Sequence, residues 1–235
     1  IPAFIYDPVT VDEMIQLAKY TGIPEMRRRS LGHNLNMRAM AHRYAADSGK
    51  KFEDVTVITV HMGGGTTVGV YQNGKIIDII NDEEGPFSPE RAGGLPAPQV
   101  IDIAFSGEYD IKALKKKLKN SSGLQAYLGT KDARTVEKMI DDGDENAKTV
   151  YQAMAYQLSK AIGELATVVN GKVDAIVLTG GIAYSKIFTD WIKERVSFIA
   201  PVVIYPGENE MDALANGALR VLRGEEEAMT FRKNF

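Results

Sequence analysis

Three β-rich segments follow one another with no helix between them, and two more come later, each beside a helix. That order limits the folds open to this chain more than any other feature. Residues 55–60 (VTVITV) are β-branched throughout, as a strand covered on both faces should be. They lead into Gly63-Gly64-Gly65. Residues 67–71 and 75–80 are two further strands, joined across Gln72-Asn73-Gly74, whose Asn-Gly pair is a hairpin signal. Residues 175–178 are a strand running into Thr179-Gly180-Gly181; residues 201–205 are another, reaching Pro206-Gly207. The first three strands read as two successive hairpins, and the last two as parallel strands reached by right-handed crossovers.

Helices fill the remainder. Residues 34–47 form one that stops near Gly49. Residues 99–105, 111–118 and 135–140 form three within a helical insertion over about 97–143. Asp144 caps a long helix whose apolar stripe runs Ala147, Val150, Tyr151, Met154, Leu158 and onward to Val169, ending at Asn170-Gly171. Residues 185–196 and 211–222 complete the set, the last stopped by Gly224. At the start, residues 1–6 read as a strand ended by Asp7-Pro8, and Thr10 with Glu13 reads as a capping box for a short helix from Val11. A domain seldom opens on an apolar strand, so this sequence is expected to be the C-terminal part of a longer protein. The expected division is one domain over 1–210, with a returning helix and tail over 211–235 that packs on an N-terminal domain outside the sequence. The element order is similar to that of the ribonuclease-H-like domain of the actin, sugar-kinase and heat-shock ATPase superfamily. That is an α/β fold, a mixed sheet flanked by helices, here with a helical insertion.

Composition narrows the chemistry. The 235 residues contain no cysteine, which excludes disulfides, thiolate metal sites and a cysteine nucleophile. Twenty-eight basic against 31 acidic residues leave a net charge of −3, with no global electrostatic reason to bind nucleic acid or an anionic membrane. No apolar run approaches the ~20 residues of a membrane span. Lys115, Lys116, Lys117 and Lys119 read as the solvated face of an amphipathic helix. His33 and His42 fall on opposite faces of a helix, which argues against a shared metal site. Asp141, Asp142 and Asp144 lack the 12-residue calcium-loop pattern and read as a capping turn.

Two glycine-rich turns remain. HMGGGTT, residues 61–67, lets backbone N–H groups approach an anion, and Thr66 and Thr67 add hydroxyls. LTGGIAYS, residues 178–185, repeats the design at the end of a parallel strand, where open α/β sheets bind ligands beside a helix N-terminus. Either alone is compatible with a plain turn; the two together point to nucleotide binding. The loop EEGPFSPERAGGLP, residues 83–96, is stiffened by proline and glycine and presents one guanidinium, Arg91, suited to holding an oxyanion bidentately. Acidic candidates are Asp7, Glu208 and Glu210.

The runs IPAFIYDPVTVDEM, RRRSLGHNLNMRAMAHRYA, VITVHMGGGTTVGVYQNGK, EGPFSPERAGGLP and LTGGIAYS resemble the acetate and butyrate kinase family of carboxylate phosphotransferases, its butyrate kinases above all, over essentially the whole chain. The family's first phosphate loop has no counterpart here. The resemblance implies a cytoplasmic enzyme that uses ATP and Mg2+ to phosphorylate a short-chain carboxylate, ATP plus butyrate giving ADP plus butyryl phosphate, as a homo-oligomer in the full-length protein. It implies catalytic roles for Arg91, His33 and Asp7. Arg91 and His33 act as donors to the transferring phosphoryl group, and Asp7 orients Arg91 or a magnesium-bound water. It implies nucleotide contacts from His61, Gly63, Gly64, Gly65, Thr66, Gly180, Gly181 and Ile182, and a magnesium role for Glu210, with Glu208 only two residues away. Acetate, branched-chain acids or a sugar as acceptor remain open, as does a non-catalytic nucleotide-binding module of the actin type. A chain lacking the N-terminal part is expected to be inactive by itself.

Overall fold

The computed structural model describes residues 5–208 and 210–228. In chain order the main elements are α1 (Asn34–Asp47), β1 (Val57–Met62), β2 (Thr66–Gln72), β3 (Lys75–Ile80), α2 (Ala97–Phe105), α3 (Ile111–Asn120), α4 (Gly123–Leu128), α5 (Ala133–Asp141), α6 (Glu145–Val168), β4 (Ala175–Gly180), α7 (Lys186–Val196), β5 (Val202–Pro206) and α8 (Glu210–Leu222). The strands make one mixed sheet in the order β3-β2-β1-β4-β5. The pairs β1–β2 and β2–β3 are antiparallel; β1–β4 and β4–β5 are parallel. The expected α/β fold with a helical insertion is therefore the observed one. At the β2–β3 turn Asn73 and Gly74 both take positive φ, 52° and 73°, as an Asn-Gly hairpin requires.

The two faces of the sheet carry separate cores, divided by the period-2 alternation of the strands. Ile58, Val60 and Met62 of β1 and Ile176 and Leu178 of β4 face the long helix α6. Val57 of β1 and Ala175 and Val177 of β4 face α1, through Met37, Met40 and Ala41. The stripe on α6 is buried as its spacing requires, and burying each such large aliphatic side chain is worth about 2 kcal/mol. Asp144 caps α6 by accepting from Ala147 N–H at 2.9 Å.

One expectation at the N-terminus does not hold, and most of another lies outside the described residues. Residues 1–4 of the expected first strand lie outside the described residues, and Ile5 and Tyr6 are not in a strand. No helix starts at Val11; only a 3-10 turn forms, at Gln16–Lys19. Glu13 does not close a capping box because tertiary partners claim its carboxylate. Its Oε2 accepts from Ile76 N–H at 2.9 Å and from Arg38 Nη2 at 2.6 Å. The insertion also holds a helix with no expected counterpart, α4. The last helix, α8, lies on α1 and buries Ala213 and Gly217, the latter against the Tyr6 ring. Among the described residues no helix is long and apolar enough to cross a membrane.

Gly180 ends β4 with φ 88°, and a Cβ there would lie 2.5–2.8 Å from the backbone of Met62 in β1. Both the left-handed conformation and the space require glycine. Gly180→Ala is expected to destabilise the protein by about 2 kcal/mol or more, read as a lowered urea midpoint. An unchanged midpoint would show that β1 and β4 are not in this close contact.

Candidate functional site

The parallel register of β1 and β4 sets His61 beside Thr179. The glycine turns that follow these residues therefore leave adjacent strands at the same end of the sheet. They line one cleft of about 640 Å3, to which Gly63 and Gly64 contribute from one turn and Gly181, Ile182 and Tyr184 from the other. Gly63 N–H is used internally by Gly65 O, at 3.0 Å. The backbone N–H groups of Gly64 and Gly65 have no backbone acceptor among the described residues, so they can serve an anion.

The alternation of β1 sends the His61 side chain to the α1 face, where it is 1% exposed. There it meets two residues at the start of α1. Its Nδ1 is 3.1 Å from Asn36 Oδ1, and its ring stacks on His33 with centroids 4.0 Å apart and planes 10° from parallel. His33 Nδ1 in turn lies 2.9 Å from Thr67 Oγ1, the residue paired with His61 across the β1–β2 register. Burial, followed by the neighbouring His33, pushes His61 down to about 3. Burial and then the Arg91 charge lower His33 as well. Both imidazoles are neutral at neutral pH, so His33 offers an N–H without a net charge.

Arg91 is fixed from both sides. Its guanidinium pairs with Asp82 and lies 3.0 Å from where a Cβ on Gly65 would sit. The backbone around it is pinned. Buried Ser88 donates to Gly64 O at 2.7 Å, and Ser88 N–H donates to Arg91 O at 3.1 Å. α4 clamps the same loop, with Leu124 N–H donating to Ser88 O and Gln125 N–H to Pro89 O. The unforeseen α4 is thus what holds the arginine loop against the glycine turn.

Asp7 is not brought to this cleft. Its carboxylate is ion-paired with Arg38 Nε at 2.9 Å, and Arg38 also reaches Glu13 and, at 3.1 Å, Gly74 O of the β2–β3 hairpin. That hairpin lies at the end of the sheet opposite the cleft. Arg38 is nearly buried and needs a counter-charge, which Asp7 and Glu13 supply. Burial, opposed by Arg38, raises Asp7 to about 6. Glu208 and Glu210 part company too. Glu208 lines the cleft, its Oε1 3.5 Å from His61 Nε2, whereas Glu210 starts α8 with an exposed side chain.

No sequence signal pointed to the cleft's far wall. Lys131, Asp132, Arg134 and Glu137, from the α4–α5 junction and the start of α5, all line it. Asp132 caps α5 by accepting from Arg134 N–H at 3.1 Å and pairs with the Arg134 guanidinium. Only that cap was a legible signal, and it speaks to the helix rather than to the cleft. Among the described residues no three His, Asp or Glu side chains gather closely enough to hold a metal ion by themselves.

The sequence pattern of the acetokinase family matches residues 23–196. The chain is 52% identical over 234 residues to butyrate kinase 2 of Clostridium acetobutylicum, covering 99% of this chain and 66% of that protein. The chain thus spans just under two thirds of the length of that curated relative. In three dimensions it is similar to acetate kinase of Porphyromonas gingivalis, with a TM-score of 0.82 at 19% identity over 92% of this chain and 63% of the other. It is also similar to a propionate kinase of Francisella tularensis, with a TM-score of 0.77 at 18% identity over 86% and 60%. At these identities the two structures speak to the fold.

The buried imidazoles give stability a defined pH dependence. His42, half-buried against Phe52 of the α1 face, is lowered to about 3, mainly by desolvation. An imidazole whose native pKa lies below its unfolded value takes up its proton more readily when unfolded. Its contribution is full above about pH 6.5 and is lost as pH falls toward 3. Asp7, raised to about 6, acts in the opposite sense between 6 and its ordinary 3.8. Urea midpoints should fall on acidification below about pH 6.5, and less steeply in His42→Phe. Parallel curves for wild type and variant would contradict a His42 held neutral by its packing.

Proposed function

The chain belongs to the acetokinase family, and from that premise we propose that the protein it comes from is a cytoplasmic carboxylate kinase that transfers the γ-phosphoryl group of ATP to butyrate. The reading is supported chiefly by two glycine turns that open on one cleft, with Arg91 packed against Gly65 and His33 hydrogen-bonded to Thr67 beside the first turn. Butyrate is favoured as acceptor by the 52% identical relative that bears its name. Acetate and branched-chain acids are the competing acceptors.

The chemistry suits these residues. An aliphatic carboxylate is ionised at neutral pH, so its oxygen attacks the γ-phosphorus without a general base while the bond to the ADP oxygen breaks. The obstacle is bringing one anion to another. Alignment and donors aimed at the equatorial oxygens then supply the rate. Arg91 provides the charge, and its fork matches two oxygens at once. His33, neutral and oriented by Thr67, provides a hydrogen bond. The N–H groups of Gly64 and Gly65 take the phosphate chain, and Ile182 and Tyr184 offer apolar surface to the base. Magnesium favours one or two carboxylates together with phosphate oxygens. Glu208 at the cleft fits that requirement better than Glu210, and the ion it would help to hold would supply charge neutralisation of the polyphosphate. The ion pair of Asp7 with Arg38 supports a positioning role for Asp7 in the fold rather than contact with the reacting groups.

A second copy of this chain is the partner we propose. α2 is rich in apolar residues, none of them buried, and Ile101 and Phe105 are left at the surface. An exposed apolar helix face of this kind is a protein-contact signature.

Incubating the full-length protein with ATP, butyrate and hydroxylamine should yield butyrohydroxamate, with acetate and isobutyrate run alongside to rank acceptors. Arg91→Ala should lower kcat about 100-fold, and Arg91→Lys should recover little of it. A loss under about threefold would remove Arg91 from the reacting groups. For the partner, sedimentation should show Ile101→Glu with Phe105→Glu shifting the protein from dimer to monomer. An unchanged mass would leave α2 out of the interface.

A further inference from the structure

We propose that Lys131 is a phosphate-binding residue of the nucleotide cleft, held there by Glu90 as its positioning residue. The inference rests on the nucleotide-binding reading above and adds to it a cation from the helical insertion. Glu90 stands against the middle of the glycine turn, its Oε1 2.9 Å from where a Cβ on Gly64 would sit. Its other oxygen, Oε2, accepts from Lys131 Nζ at 2.6 Å. Both residues line the cleft. The ammonium is therefore one carboxylate's width from the backbone that would carry the phosphates.

An uncompensated carboxylate at that place would repel a polyphosphate through a partly desolvated gap. Lys131 cancels that charge and adds ammonium donors beside it. A lysine ammonium has three donors, and Glu90 uses one; no other partner is present among the described residues. Two donors remain for phosphate oxygens. Arg134, the other cation of this wall, is taken up by Asp132 through both Nε and Nη2. The two members of the pair also differ in freedom. The Glu90 side chain is 20% exposed, and its carbonyl is tied to Ser122 N–H at 3.1 Å. The Lys131 side chain is 60% exposed on a flexible stem. A fixed carboxylate thus holds a mobile cation at the cradle. An ion pair this exposed adds little to stability, so its place beside Gly64 is the informative property.

Calorimetric titration with ADP and with adenosine separates the possibilities, using the full-length protein, Lys131→Met, Lys131→Gln and Lys131→Arg. The exposed side chain tolerates truncation, and the two neutral variants check one another. Lys131→Met and Lys131→Gln should weaken ADP about tenfold and leave adenosine unchanged, while Lys131→Arg should retain most of the ADP affinity. An unchanged ratio of ADP to adenosine affinity in both neutral variants overturns the role of Lys131 and leaves nucleotide binding standing. Wild-type protein that binds neither ligand overturns the nucleotide-binding reading, and the role of Lys131 with it.

Discussion

The parallel pairing of β1 with β4 is the constraint on which the rest of the site depends. It brings His61 level with Thr179, so two turns more than 110 residues apart in sequence open at one end of one sheet. A one-residue slip would exchange the faces of a whole strand and send His61 away from α1. The register is defended from both sides. Ile58, Val60 and Leu178 bury toward α6, and Val57, Ala175 and Val177 toward α1, so any slip strands apolar side chains on the wrong core. Gly180 closes the pairing through its two-way bond with Gly207, which also attaches the end of β5.

Around that frame the electrostatics are arranged by partners rather than by net charge. Three carboxylates approach the three successive glycines of the first turn: Glu208 at Gly63, Glu90 at Gly64 and Asp82 at Gly65. Each has a counterpart. Glu208 faces His61, Glu90 holds Lys131, and Asp82 holds Arg91. Lys131 and Arg91 offset two of these three charges at the turn. The histidine stack adds no charge, since burial keeps both rings neutral. It adds rigidity instead, with Asn36 and Thr67 fixing one ring nitrogen each.

The arginine loop shows how local stiffness and tertiary clamping divide the work. Proline and glycine limit the conformations of residues 83–96, but they do not choose one. Ser88 selects the position by bonding Gly64 O, and α4 locks it through backbone bonds to residues 88 and 89. Gly123 at the start of α4 takes φ 61°, and the Ser88 carbonyl leaves no room there for a Cβ. The insertion therefore serves the cleft twice. It clamps Arg91 through α4 and walls the opposite side through α5.

What the sequence determined alone is whatever rests on short-range periodicity and turn chemistry. The β-branched run before Gly63, the Asn73-Gly74 hairpin, the stripe of α6 with its Asp144 cap, and the two glycine turns all came from residues a few positions apart. Their order was enough for the mixed sheet, and the sheet was enough to bring the turns together. What only the tertiary structure decided are the partners of long charged side chains. Asp7 went to Arg38 and Glu13 left its capping box, because a nearly buried guanidinium must be neutralised by whichever carboxylates the fold brings within reach. Lys131 and Arg134 joined the cleft, and Glu208 rather than Glu210 faced it, for the same reason. A flexible side chain selects its partner by distance through space, and neither spacing nor pattern along the chain encodes that distance.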